Sequence, residues 1–275
     1  MISVQGPAAS ARRLERAVGS SVFGADASGY HEARLDYPAE LYVAIRARCG
    51  DRAGLSILEI GPGTGLATAD LLKLAPVRLV AVEPDPALCA HLAATIDDGA
   101  LHIIQGGFDT APIATMFDLA CSAAAFHWLE PEPALARLRR LLRSGGCLAL
   151  WWNVYRQLGI GDAFADAVTP LISRLELPPS EGLTGHYSLD VDLHRSQMVA
   201  AGFEDFAPFL FRRERRLDTA QVRALYASYS YIRSLPPPER ESLLDDNAML
   251  ANDGFGVIVP NVTLTPLYLA SAPAA

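Results

Sequence analysis

Between Leu55 and Asn153 the chain repeats one pattern. A short run of consecutive apolar residues is followed by a break and then by apolar residues at helical spacing. LSILEI (55–60) predicts a buried strand, and TGLATADLLKLA (64–75) the helix behind it. VRLVAVE (77–83) and DPALCAHLAATI (85–96) repeat the unit, with a proline near the start of the helix. LHIIQG (101–106), FDLACSA (117–123) and CLALWWN (147–153) predict three more strands, and PEPALARLRRLLRSGG (131–146) a helix closed by glycines. Apolar strands alternating with helices imply an α/β fold, a doubly wound and mostly parallel sheet covered on both faces. Ligands in such sheets bind outside the carboxyl ends of the strands, near the point where strand order reverses. Beyond Asn153 the alternation loosens, and residues 155–190 show Gly and Pro breaks without a period. LHRSQMVAAGFEDFAPFLF predicts helix then strand, TAQVRALYASYSYIRSL and PPERESLLDDNAML predict helices, and GVIVPNVTLTPLYLAS a last strand. The prolines inside that strand predict an edge or bulged position.

Composition narrows the class. Of the 275 residues 51% are apolar, enough for a sizeable core, and the formal net charge is −8. No basic tract interrupts it, which argues against a dedicated nucleic-acid binder. The arginine-rich pieces RLRRLLR (137–143) and RRERR (212–216) are short and read as solvated faces. Cys49, Cys89, Cys121 and Cys147 are far apart and form no C-x-x-C pair, so a metal site is not expected, and free thiols fit a reducing compartment. The first residues lack the basic and apolar regions of a signal peptide, and no apolar run is long enough to span a bilayer. The expectation is a cytoplasmic protein, monomer or homodimer, without a membrane or nucleic-acid partner.

The candidate chemistry lies in ILEIGPGTG (57–65). A dinucleotide fingerprint reads G-x-G-x-x-G; here Gly61, Gly63 and Gly65 alternate, position 66 is Leu, and Glu59 precedes them. A pyrophosphate wants helix N-terminal N–H groups and no anion nearby, so Glu59 would repel it. S-adenosylmethionine (SAM) carries no phosphate; its sulfonium and ammonium are cationic, and an acid beside the loop favours it. The glycines allow positive φ and close backbone approach. Glu83 ends the next strand, 18 residues after Gly65, where a carboxylate can accept both hydrogen bonds of a ribose diol. NAD sites use the same device, and the plain alternative is a solvated strand-end acid.

With these stretches the sequence resembles the class I SAM-dependent methyltransferases, in the branch of small-molecule enzymes similar to trans-aconitate and UbiE-type methyltransferases. The resemblance covers about residues 20–153. ILEIGPGTG is similar to the family's first motif, VAVEPDPAL with Glu83 and Pro84 to its ribose motif, and FDLACSAAAFHWLEPEPALARLRRLLRSGGCLALWWN to its later motifs. FGADASGYHEARLDYPAEL upstream also resembles this branch. The resemblance implies a Rossmann-like class I methyltransferase fold with helical lid and cap insertions, SAM as cofactor, and a small-molecule acceptor methylated on O, N or C. In one place the chain departs from the family. The acid that commonly follows strand three and contacts the adenine amino group is replaced by Gly107 in QGGFDTAP. Asp109 is then assigned to the adenine N6 and Phe108 to its face or edge; the alternative is a core Phe108 and a turn residue Asp109. The implied organisation is a lead-in over 1–20, a SAM-binding core with an N-terminal lid over 21–153, and a C-terminal half over 154–275. That half completes the sheet and carries the substrate cap.

Methyl transfer from a sulfonium requires alignment and, for a neutral acceptor, a base. His127 and Trp128 follow the fourth strand, at the edge that should face the methyl group. His127 is either a general base or a structural histidine under the cofactor. Tyr30 and Arg34, four apart, would share a helix face and close over the cofactor carboxylate or the acceptor, or else form an exposed pair. Trp151, Trp152 and Asn153 end strand five, where they can wall the acceptor pocket. Tyr226, Tyr229, Tyr231 and Arg233 suit an apolar lid or core packing. Residues 20–40 are expected to cover the sheet edge. A second reading is a SAM-fold protein without methyl transfer, serving as a partner subunit or using SAM in another reaction; an NAD-dependent oxidoreductase stands third.

Overall fold

The computed structural model describes residues 34–50, 54–155, 157, 160–173, 175 and 186–274. Five parallel strands alternate with helices through the first half. They are β1 (Ser56–Ile60), β2 (Arg78–Glu83), β3 (Leu101–Gln105), β4 (Phe117–Ala123) and β5 (Leu142–Trp151). The helices are α1 (Ala39–Cys49), α2 (Leu66–Leu72), α3 (Pro86–Thr95) and α4 (Pro131–Leu141). Every residue of β1 is buried, as a strand covered on both faces must be. Its side chains alternate between two cores. Leu58 and Ile60 meet Ala134, Leu135 and Leu138 of α4, whereas Ile57 joins Leu41 and Ile45 of α1 and Leu71 of α2.

The second half adds α5 (Ala163–Ile172), α6 (Val191–Ala200), β6 (Glu204–Asp218), α7 (Thr219–Ala227), α8 (Ser230–Arg233), α9 (Pro237–Phe255) and β7 (Ile258–Ser271). The sheet order is β3-β2-β1-β4-β5-β7-β6, with β7 antiparallel to both neighbours. Strand order therefore reverses between β1 and β4, where the fold rule places a ligand. Helices α5, α7, α8 and α9 enclose a third apolar core around Phe164, Val168, Leu225, Tyr226 and Leu244. Local signals fix their starts. Asp218, the last residue of β6, forms a capping box with Gln221, and Asp162 caps α5 while also accepting from Val262 N–H at 2.7 Å.

Three expectations are corrected. β7 is an interior strand, not an edge; β6 is the edge. Leu264 N–H bonds Val154 and Val262 N–H bonds Asp162, so the even-numbered N–H groups of β7 face away from β6. Pro260 and Pro266 share that parity. They sit beyond the β5 ladder, which ends at Trp151↔Leu267, and so remove no bond from either neighbour. The helix predicted over 131–146 stops at Leu141, because the chain from Leu142 pairs with β4 and Gly145 turns with φ of 68°. RRERR is not uniformly solvated: it lies in β6, so alternate arginines point inward, and Arg213 and Arg215 are half-buried while Arg212 and Arg216 are exposed. Among the described residues no helix is long and apolar enough to cross a membrane.

Candidate active site

A cleft opens at the carboxyl ends of β1, β2 and β4. Its floor is the turn from Ile60 through Thr64, one wall is Glu83, Pro84 and Leu88, another is Gly107–Asp109, and Ala123–Ala125, Trp128 and Leu129 close the side over β4. The three glycines serve different ends. Gly61 has φ of 66°, and a Cβ on it would lie 2.4 Å from Ala125 Cβ, so glycine is needed for close approach of two loops. Gly63 has φ of 59° and open space where its Cβ would be, so its backbone faces the cleft bare. Gly65, at the start of α2 with φ of 87°, does not line the cleft. Its missing side chain makes room for Leu92 and Ile96 of the neighbouring helix region, at 2.6 and 2.9 Å from the absent Cβ.

Glu83 holds the loops together. Its Oε2 accepts from Gly63 N–H (3.2 Å) and its Oε1 from Asp85 N–H (3.0 Å). Burial raises its pKa, and those two backbone bonds oppose the rise. Each oxygen keeps lone-pair capacity toward the cleft. Glu59 lies one layer deeper and is fully buried. Thr68 donates to its Oε2 at 2.8 Å, and its Oε1 has no partner. Burial pushes its pKa up to about 7, against the Thr68 bond and with help from the Glu83 charge. An orphaned buried carboxylate oxygen fits a ligand that brings positive charge or a donor.

Phe108 and Asp109 sit in a turn where Ala111 N–H bonds Gly107 carbonyl at 2.9 Å. Arg137 donates to the carbonyls of Asp109 and Ala111 and lies 5.0 Å from the Phe108 ring centroid. Phe108 is buried and also borders the cleft, and Asp109 is exposed at its rim. Trp128 borders the cleft, and His127 is not among the residues that line it. The Trp152 indole Nε1 donates to His127 Nδ1 at 3.1 Å. A neutral imidazole has one lone pair, and this bond engages it.

The remaining expected site residues are elsewhere. Tyr30 lies outside the described residues. Arg34 is in a non-helical segment, not on a helix face, with its guanidinium 4.9 Å from Tyr155 and 5.1 Å from Tyr229 ring centroids and bonded to Ser228 carbonyl. Trp152 does not line the cleft. Placed just after β5, it turns into the core beside Tyr187, His194 and Tyr268. Asn153 is buried and fully occupied: its amide donates to Leu35 and Asp36 carbonyls, and its oxygen accepts from Thr265 at 2.7 Å. Tyr229 packs in the third core. The described end of the expected lid, residues 34–37, is therefore bolted to the C-terminal half. Tyr37, in the segment expected to cover the sheet edge, borders the cleft and stands edge-on to Trp151 at 5.8 Å. The small residues Ala123–Ala125 were missed; their signal was the run of alanines after β4, needed where Gly61 packs against it.

Residues 58–150 match the family model described as a methyltransferase domain. The match covers about a third of the chain and, together with its methyltransferase relatives, supports a SAM-dependent methyltransferase; the fold is the Rossmann-like α/β fold of such enzymes. An uncharacterized methyltransferase of Schizosaccharomyces pombe is 23% identical over 80% of this chain and 83% of its own length. A phosphoethanolamine N-methyltransferase of Haemonchus contortus, in complex with phosphomonomethylethanolamine and S-adenosylhomocysteine, superposes with a TM-score of 0.54 at 11% identity, over 91% of this chain and 57% of that one. The [4+2]-cyclase SpnF superposes with 0.52 at 16% identity, over 88% and 85%. These two likenesses establish shared fold only, since one fold hosts many chemistries.

Proposed function

We propose that the chain methylates a small-molecule acceptor, with SAM held in the cleft over β1 and β2. The observation that carries this reading is Glu83: a buried carboxylate in the cleft wall, oriented by Gly63 and Asp85 N–H groups, with lone pairs left for a ribose diol. The bare backbone at Gly63 leaves room for the methionine portion, and Glu59 supplies negative charge beneath it. Pro84, Phe108 and Asp109 border the adenine end, and Tyr37 and Trp128 flank the opposite side. SAM supplies an already activated methyl group on a cationic sulfur. The protein's task is to align the acceptor and exclude water. His127 serves by position: it satisfies the Trp152 indole and so fixes the turn that presents Trp128. Its engaged lone pair speaks against the general-base role.

Chromatographic measurement of S-adenosylhomocysteine (SAH) formed from SAM, over a panel of small O-, N- and C-nucleophiles, tests the reading. Acceptor-dependent SAH is expected. Tight SAH binding with no turnover on any acceptor would favour the non-methylating alternative.

A further inference from the structure

Beside the cleft, over the extension of β7 beyond β5, the structure gathers positive charge on aromatic walls. Arg213 pairs across β6–β7 with Thr263 and Arg215 with Asn261. Both point inward from the edge strand. Arg213 reaches Asp36 at 3.0 Å, a carboxylate that is itself 70% exposed. Arg215 has a neutral partner, the Asn261 side-chain oxygen at 3.3 Å. Among the described residues no carboxylate lies within ion-pair distance of Arg215, and its Nε is buried without an acceptor. Burial first, then the Arg213 charge, depresses its pKa, with Tyr155, Tyr229 and Asp36 acting the other way. Tyr229 sits in the same group, 6% exposed, with a hydroxyl that has no partner. A half-buried cation and, near enough to feel its charge, an orphaned buried hydroxyl each cost stability unless something answers them.

We infer that Arg215, with Arg213, Arg34 and the Tyr155–Tyr229 pair, forms a subsite for an acidic group on the methyl acceptor. This rests on the methyl-transfer reading and deepens it. Position supports it. Arg34 belongs to the cluster and Tyr37 to the cleft wall, three residues further along, so the two sites lie within roughly 11 Å along the chain. The ligand class is a small molecule bearing a carboxylate or phosphate on an apolar skeleton. The guanidinium forks take the acid and the tyrosine rings flank the skeleton.

The test is calorimetric titration of the full chain, saturated with SAH, by phenylacetate, phenyl phosphate and the neutral phenylacetamide. At least one anion should bind roughly tenfold or more tightly than the amide, as charge-assisted bonds allow. The tighter anion identifies carboxylate or phosphate. Arg215→Gln should lose about tenfold or more of that affinity, and Arg215→Lys, which keeps the charge but not the fork, should lose less than Arg215→Gln. Equal binding of anions and amide, or an unchanged Arg215→Gln, overturns the inference. The wild-type comparison stands even if a variant fails to fold. SAH binding is read separately: its absence defeats the cofactor reading, whereas intact SAH binding without anion preference defeats the subsite alone.

Discussion

Glu59 is the residue whose environment speaks most directly about the ligand. In the free protein its folded pKa of about 7 exceeds the ordinary carboxylate value, because burial opposes ionisation. The folded state therefore binds the extra proton between about pH 4.5 and 7, and stability falls as pH rises through that window. The full cost is on the order of 3 kcal/mol. Glu59→Gln should remove most of this dependence in denaturant titrations at pH 5 and pH 8. Ligand binding should run the other way. A cationic ligand stabilises the ionised form, so SAM affinity should rise from pH 6 to pH 8, with proton release at pH 7 seen by calorimetry in two buffers of different ionisation enthalpy. Affinity that does not vary with pH would separate Glu59 from the ligand. The sequence showed this acid beside the loop but not its depth. Depth follows from the parity of β1, which turns Glu59 toward α2 and Thr68.

Among the elements, the strand–turn–helix of β1 and α2 divides the work of its glycines between folding and binding. Gly65→Ala should cost about 2–4 kcal/mol in denaturant unfolding. The methyl would strain a positive φ and crowd Leu92 and Ile96. Gly63→Ala should cost only about 1 kcal/mol, from φ strain, and weaken SAH binding instead, because its Cβ would project into open cleft. The reverse pattern would mean the cleft is not the binding surface. The parallel strands and this turn were legible in sequence because each strand is one continuous apolar stretch, with β1, β2 and β4 buried along most of their length, and because alternating glycines mark the turn. Trp152 and Asn153 were not. Their side chains leave the end of β5 in directions set by the sheet's two cores and by the returning segment 34–36, which no local pattern encodes. The prolines of β7 misled for a related reason: a proline disqualifies an interior strand only where a neighbour needs its N–H, and here the β5 ladder has already ended.

Across the whole molecule, the cleft over the parallel strands and the arginine–tyrosine cluster over β6 and β7 are joined by residues 34–37. Asn153, Tyr155 and Arg213 hold that short segment in place. On the proposed reading, the cleft at the glycine turn binds SAM through the Glu83 carboxylate. The most direct test is calorimetric titration of SAH into the wild-type chain and into Glu83→Ala, with NAD as a control ligand. The expected result is saturable SAH binding to the wild type, no measurable NAD binding, and a loss of about 2–4 kcal/mol in Glu83→Ala from two charge-assisted hydrogen bonds. SAH affinity unchanged in Glu83→Ala, or NAD binding as tightly as SAH, would contradict it.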